Sequence, residues 1–146
     1  MNDLIRAMGM DYGTARIGLS VSDDIGMLAH PLETVPAADL ERAARRIAEL
    51  AELRKIEHLV VGLPLHMNGE EGEAVAGVRR FVALLRPLLP EAVTIHEVDE
   101  RLTTTSAMEK LHQAGRNAKN SRKIIDQAAA IEILQSWLDA RSAYLP

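Results

Sequence analysis

Residues 4–22 read LIRAMGMDYGTARIGLSVS, and this stretch decides the fold class because it holds two strand patterns joined by a turn. Leu4 to Met10 is a mostly apolar run, typical of a buried strand, and Asp11 follows it directly. The turn that comes next contains Gly13, which is available for a positive φ angle. Arg16 to Ser22 alternates apolar residues with small or polar ones, which predicts a half-buried strand that pairs back on the first.

The rest of the chain predicts one more antiparallel strand and then strands that alternate with helices. Leu28 to Val35 is the third strand, and Pro31 limits it to an edge or bulge position. The later elements are a helix from Asp39 to Lys55, a strand from His58 to Gly62, a helix over about Val75 to Leu89, a strand from Ala92 to Val98, and helices over about Thr104 to Ala114 and Arg122 to Ala140, the last two separated by a loop from Gly115 to Ser121. This order predicts an α/β fold with a mixed five-stranded sheet and helices on both faces.

Length and composition are those of an ordinary globular protein. The chain has 146 residues, 47% hydrophobic and 26% charged, so we expect a single domain. It has neither a signal-peptide pattern nor an apolar run of membrane-spanning length, so we expect a cytoplasmic protein with no membrane association. The absence of cysteine excludes thiolate metal sites and a thiol nucleophile.

The net charge of −4 argues mildly against a general nucleic-acid binder, but the charge is uneven. The segment from Lys110 to Ile125 contains five cations and no acid, so it could contact phosphates while the rest of the surface stays acidic. The alternative is a solvated, mobile loop with cations near the C-terminus of a helix. The five cations are Lys110, Arg116, Lys119, Arg122 and Lys123.

Carboxylates follow two of the predicted strands. In sheets of this kind, sites form at the carboxyl ends of strands, and both Asp11 and the pair Asp99 and Glu100 fall there. Each also has a structural interpretation, since Asp11 could be a turn residue and Glu100 could form a surface salt bridge. Periodicity alone does not choose between Asp99 and Glu100.

A third carboxylate, Asp126, lies on or beside an apolar helix stripe that should pack on the sheet. Burying an ionised carboxylate is costly unless it is paired or bound to a metal. The alternative to a metal is a nearby cation such as Arg16 or Arg101. The stripe continues through Ala129, Ala130, Ile133 and Trp137.

Three converging carboxylates suit Mg²⁺ or Mn²⁺, because these hard cations prefer oxygen ligands. Two such ions, roughly 4 Å apart, can activate water and stabilise the leaving oxygen of a phosphodiester. A zinc site is not expected, since no histidine pair has the usual ligand spacing. The histidines are scattered at His30, His58, His66, His96 and His112.

Four motifs span almost the whole chain. They are Gly9 to Gly13 with Arg16 to Gly18 and Ser22-Asp23; Val61 to Leu65 with Asn68-Gly69 and Gly72; Asp99 to Thr104; and Ile125 to Ala130 with Ile133 to Gln135. Together they resemble the YqgF family, also called RuvX-like or Holliday junction resolvases. One departure is Ala15, where similar proteins often have Lys or Arg, and it puts one phosphate contact in doubt.

The resemblance implies a ribonuclease H-like fold and a divalent-metal-dependent nuclease that acts on structured nucleic acid. It ranks maturation of the 5′ end of pre-16S ribosomal RNA first and resolution of branched DNA second. It also implies that the catalytic and metal-binding acids are Asp11, Glu100 and Asp126, with Asp99 as a possible substitute for Glu100. Symmetric resolution of a junction would require two active sites, hence a possible homodimer.

Several residues around these acids are candidate substrate contacts. Arg16 and Arg101 would either hold phosphate or pair with the acids. The loop from Leu65 to Gly72 resembles a mobile flap in which His66 and Asn68 contact substrate; alternatively it is an ordinary start of a helix, with its glutamates favoured by the helix dipole. Of the cationic segment, the phosphate contacts we predict are Lys119, Arg122 and Lys123.

Two other classes of function fit parts of the sequence. Asp11 to Thr14 is also how the phosphate loop of actin-like sugar kinases begins, but those proteins need two lobes and this chain has the length of one. A non-catalytic nucleic-acid-binding module is the other alternative, and it predicts binding that is indifferent to metal and to loss of Asp11.

Overall fold

The computed structural model describes residues 4–102 and 118–142, with side chains over 4–101 and 127–141. The helix predicted over about Thr104 to Ala114 lies outside the described residues. The strands are β1 (Ala7–Tyr12), β2 (Arg16–Ser22), β3 (Ala29–Pro36), β4 (His58–Leu63) and β5 (Thr94–Asp99); the α-helices are α1 (Leu40–Leu53), α2 (Glu73–Leu85) and α3 (Ala118–Ser142); short 3-10 turns span Arg86–Leu88 and Glu100–Leu102.

The five strands form one mixed sheet, as predicted, and their order in it is β3-β2-β1-β4-β5. β1 pairs with β2 and β2 with β3 in antiparallel fashion, whereas the β1–β4 and β4–β5 pairs are parallel. The position predicted for Pro31 is confirmed. It lies on edge strand β3 opposite Ser20, where the register shifts between Leu19 and Ser20, so its missing N–H breaks no regular ladder.

Some local features differ from those predicted. β1 continues to Tyr12, so Asp11 lies inside the β1–β2 ladder, paired with Gly18, and does not end the strand. α3 begins at Ala118, so the predicted loop is helical from 118 onward. Gly13 is not among the described glycines with positive φ; instead an added Cβ would lie 2.6 Å from the Arg16 carbonyl oxygen, so this turn needs glycine for space.

Helices α1 and α2 cover one face of the sheet because their apolar residues recur at helical spacing. Asp39 caps α1, its Oδ1 accepting a hydrogen bond from the Arg42 amide at 3.1 Å. Burial of each large apolar side chain contributes about 1.5–3 kcal/mol. This core contains Met8, Met10, Ile17, Leu19, Ile47, Leu59, Val61, Val78, Phe81 and Leu85, all nearly inaccessible to solvent.

Helix α3 covers the opposite face, which confirms helices on both sides of the sheet. Its buried Ile133, Leu134 and Leu138 pack with Ala7 and Val60. The prediction that β2 is half-buried is wrong, since α3 lies over its other side as well. Among the described helices, none is long and apolar enough to cross a membrane.

The hydroxyl of Ser20 makes a buried polar contact between α3 and the sheet. Ser20 is fully buried and its Oγ donates a hydrogen bond of 2.7 Å to the Ala130 carbonyl oxygen. Such a contact requires a small residue on the strand and a small residue on the helix, so that the helix backbone comes close. The small and polar residues of β2, which predicted an exposed face, therefore form the surface on which α3 packs.

Two histidines that are far apart in sequence lie close together near the C-terminal end of α3. His58 Nδ1 and His96 Nε2 are 3.0 Å apart, because the parallel register of β4 and β5 puts them diagonally across neighbouring strands. Trp137 packs against both rings, with centroid distances of 5.0 and 4.9 Å, and the Arg141 guanidinium lies 5.4 Å from the Trp137 ring centroid. The interpretation of these histidines as scattered does not hold for this pair.

This pair predicts a loss of stability in mildly acidic solution. Burial, the neighbouring ring and then Arg141 lower the pKa of His58, while burial and Arg141 lower the pKa of His96. The unfolded chain, with histidine pKa values near 6.5, therefore takes up protons before the folded chain does. We expect the free energy of unfolding to fall as pH drops from about 7.5 to about 5.5.

Urea unfolding at both pH values measures this effect. His96→Gln should shrink the pH-dependent part of the stability, and His30→Gln, at an exposed histidine outside the pair, is the matched control. Carboxylates do not affect the comparison, because both variants keep all of them. A pH dependence equal in both variants would contradict the assignment to His96.

Candidate active site

Strand alternation places Asp11 on the α3 side of the sheet. Along β1, Met8 and Met10 belong to the α1–α2 core, whereas an added Cβ at Gly9 would lie 2.6 Å from the Ala130 carbonyl oxygen of α3. Successive side chains of a strand point to opposite faces, so Asp11 shares the face of Gly9. Asp11 is partly buried there.

The carboxylate of Glu100 lies on the same face, above Gly62. An added Cβ at Gly62 would lie 2.6 Å from Glu100 Oε1 and 2.8 Å from Glu100 Cγ. Gly62 directly follows Val61, which pairs with Met10, so it stands beside Asp11 on the neighbouring strand. Since paired strands are about 4.8 Å apart, the two acids face one small region of the sheet's carboxyl edge.

The Asp99 carboxylate is paired with the side chain of Arg101. The Arg101 side chain donates to both of its oxygens, from Nε at 3.0 and 3.1 Å and from a terminal nitrogen at 2.6 Å. These hydrogen bonds hold the pKa of Asp99 below its usual value. Asp99 and Arg101 are thus paired with each other, whereas the Glu100 carboxylate lies over Gly62. Which of the two acids serves the site stays a prediction.

The helix position of Asp126 is consistent with the same region. Gln135 accepts from the Ala29 amide at 2.9 Å, and Ala130 accepts from Ser20, so α3 runs toward the carboxyl end of β1 as its residue numbers decrease. Asp126 is one turn further in that direction than Ala130. Its side chain lies outside the described set, so its role stays a prediction.

No group of three metal-binding side chains comes together among the side chains that the structure describes. Asp11 and Glu100 are two oxygen donors, and a third would have to come from a residue such as Asp126. The side chains of Lys119, Arg122 and Lys123 also lie outside the described set, although their backbone forms the first two turns of α3. Arg16, at the start of β2, is partly buried.

The loop between β4 and α2 is tied down by internal contacts. Arg101 donates to the Met67 carbonyl oxygen at 3.0 Å, and Asn68 Oδ1 accepts from the Glu70 amide at 2.9 Å. The exposed His66 has its ring against Gly72, and Gly69 has a φ of +88°, a value that favours glycine. Both His66 and Asn68 therefore make loop contacts, and their predicted role toward substrate stays a prediction.

Comparison of the fold with solved structures defines the fold class. The structure of Thermus thermophilus RuvC in complex with a Holliday junction substrate matches with a TM-score of 0.62 at 17% identity, covering 94% of this chain and 96% of that one. A fowlpox virus resolvase in complex with Holliday junction DNA gives 0.60 at 8% identity, covering 94% and 99%. The chain has the ribonuclease H-like fold, as predicted.

Sequence comparison then gives the family. The family model described as RuvX, Holliday junction resolvase, matches residues 5–140. Relatives from Nocardia farcinica and Streptomyces coelicolor are 43% and 46% identical, cover 96% and 92% of this chain and 81% and 80% of their own lengths, and carry the name "Putative pre-16S rRNA nuclease". The chain belongs to the RuvX family, and it is a nuclease.

Proposed function

We propose that this nuclease is a divalent-metal-dependent phosphodiester hydrolase that matures the 5′ end of pre-16S ribosomal RNA in the cytoplasm. The observation that carries the proposal is the placement of the Glu100 carboxylate over Gly62, beside Asp11. The names of the relatives support the substrate. The catalytic and metal-binding acids are Asp11, Glu100 and Asp126.

The residues present fit Mg²⁺ or Mn²⁺ because the donors are carboxylate oxygens, which hard cations prefer. When bound, such ions supply positive charge for the phosphate oxygens and make water easier to deprotonate. Asp11 and Glu100 are two carboxylate ligands on the α3 face of the sheet. Asp126 is proposed as the third ligand because α3 runs toward the same region. Its place one turn beyond Ala130 supports this assignment.

The protein's own contribution is to fix the carboxylates in place and to hold the nucleic-acid strand. Glu100 is held in place because Gly62 lacks a side chain and Ile133 packs beside it. Arg101 braces the same turn through Asp99 and the neighbouring loop. Phosphate contacts are proposed for Arg16, for Arg101 and for the cations of the first two turns of α3, namely Lys119, Arg122 and Lys123. His66 and Asn68 are proposed as further substrate contacts at the loop.

Branched DNA is the second candidate substrate, favoured by the description of the family and by the fold shared with two junction-bound resolvases. Cutting a four-way junction symmetrically requires two active sites at a defined spacing, so this function would need a homodimer. Trimming RNA requires only one site. We rank RNA first because the relatives with over 40% identity are named for it.

Cleavage assays test the proposal. End-labelled pre-16S 5′ leader RNA and a four-way DNA junction are incubated with Mn²⁺, Mg²⁺ or EDTA, using the wild type, Asp11→Asn and Asp126→Asn. We expect RNA cleavage that EDTA abolishes and that each substitution lowers by about 10²-fold or more. Cleavage that survives EDTA or both substitutions would overturn the mechanism, and faster cutting of the junction would move the substrate to DNA.

A further inference from the structure

A pocket opens beside Glu100 at the carboxyl edge of the sheet, on the side covered by α2. Its volume is about 490 Å³, several times that of a nucleobase, and Glu100 forms part of its lining. The other lining residues that matter here are Tyr12, Pro64, Gly77, Glu73 and Arg80. Glu100 therefore connects this pocket with the candidate active site.

The walls of the pocket suit a flat, apolar group. The Tyr12 ring is held by Phe81, with ring centroids 5.1 Å apart, and Pro64 adds a second apolar surface. At Gly77, an added Cβ would lie 3.9 Å from Tyr12 Cε2 and 3.9 Å from a terminal nitrogen of Arg80, so glycine leaves this wall open. Aromatic rings that are fixed in this way are common platforms for nucleobases.

The charges in the pocket favour a base over a phosphate. Two carboxylates, Glu73 and Glu100, line it with one cation, and the Arg80 guanidinium lies 3.9 Å from Glu73. This negative balance repels phosphate, whereas a carboxylate can accept a hydrogen bond from the amino group of a base. A base in the pocket would leave its phosphate outside, at the edge that Glu100 lines.

We infer that this pocket binds one unpaired nucleobase next to the scissile phosphate, an inference that rests on the proposed nuclease site. A base inside a duplex cannot enter a pocket unless it leaves the stack and its partner. The enzyme therefore prefers cleavage sites with an unpaired nucleotide over sites that are fully base-paired. The pocket thus selects single-stranded stretches of a structured RNA.

Filling the pocket tests the inference. Gly77→Leu places a side chain in the open wall, while Ala83→Leu adds the same side chain at an exposed position of α2 outside the pocket. Two probes are used: leader RNA with an unpaired cut site, and the same RNA annealed to a complementary strand across that site. In Gly77→Leu we expect KM for the unpaired probe to rise about tenfold or more, and the preference over the paired probe to vanish.

Binding and photocrosslinking in EDTA separate this inference from the proposed function, since neither needs cleavage. Fluorescence anisotropy should show the same loss of preference in Gly77→Leu and none in Ala83→Leu. In the wild type, 4-thiouridine placed beside the cut site should crosslink to Tyr12 or a neighbouring residue of the pocket, a result that does not depend on how any variant folds. A retained preference in Gly77→Leu, or crosslinks confined to other surfaces, would overturn the inference.

Discussion

The variant Glu100→Gln is expected to lose about 10²- to 10³-fold in the rate of metal-dependent cleavage, because a metal-binding carboxylate contributes several kcal/mol to the transition state. The neighbouring Asp99→Asn should lose less than about tenfold, as its partner is an exposed arginine and surface ion pairs are worth about 0–1 kcal/mol. Both substitutions remove one negative charge and keep the size of the side chain. Only their places differ, since Glu100 lies over Gly62 and Asp99 pairs with Arg101.

Single-turnover cleavage of the leader RNA in saturating Mn²⁺ and calorimetric titration of Mn²⁺ measure the two effects separately. Glu100→Gln should weaken Mn²⁺ binding, and Asp99→Asn should not. Thermal unfolding of both variants shows whether either has lost its fold. A larger loss in Asp99→Asn would transfer the metal site to that residue and would make the position over Gly62 irrelevant to catalysis.

The choice between these two adjacent acids shows where sequence reasoning reached its limit. Both follow the strand predicted from Ala92 to Val98, so the rule that sites form at strand ends selects both equally. The features that distinguish them are the absence of a side chain at Gly62 and the position of Arg101, and both depend on contacts between separate elements. Only the family resemblance favoured Glu100 at the level of sequence.

The strand and helix pattern was more predictable because it depends on local order. Alternation in β2, the short apolar run of β4 and the helical spacing in α1 each predict their element without distant information. Pro31 on the edge strand follows from the chemistry of one residue. The third acid, Asp126, came from the apolar stripe of α3, and its predicted face is consistent with the buried Ala130 and Ile133.

The errors occurred where long-range packing decides the outcome. The small and polar face of β2 indicated solvent, but α3, which follows more than a hundred residues later, covers it and takes the hydrogen bond from Ser20. The His58–His96 pair is separated by 38 residues and meets only through the register of β4 and β5. A short side chain in a strand is therefore ambiguous, since it fits both an exposed surface and a surface on which a helix packs.

The Gly9→Ala variant directly tests the packing of α3 on the sheet. Among the proposed variants it should have the largest effect on the free energy of unfolding. An added Cβ would lie 2.6 Å from the Ala130 carbonyl oxygen and 2.8 Å from Leu134 Cβ, closer than real Cβ contacts, so α3 would have to move off the sheet. Overpacking of this kind costs about 1–3 kcal/mol. Gly77→Ala is the matched control, as its added Cβ meets only atoms 3.9 Å away and alanine favours a helix by roughly 0.5–1 kcal/mol.

Urea unfolding at neutral pH compares the two alanine variants, and we expect opposite signs: Gly9→Ala less stable than the wild type, Gly77→Ala equal or more stable. A neutral Gly9→Ala would contradict the close approach of α3 to β1. Because α3 also carries Asp126, Gly9→Ala should in addition slow cleavage at temperatures where it remains folded. Loss of stability with full activity would mean that the position of α3 does not matter for catalysis, and it would remove the support that α3 gives to Asp126 as the third metal ligand.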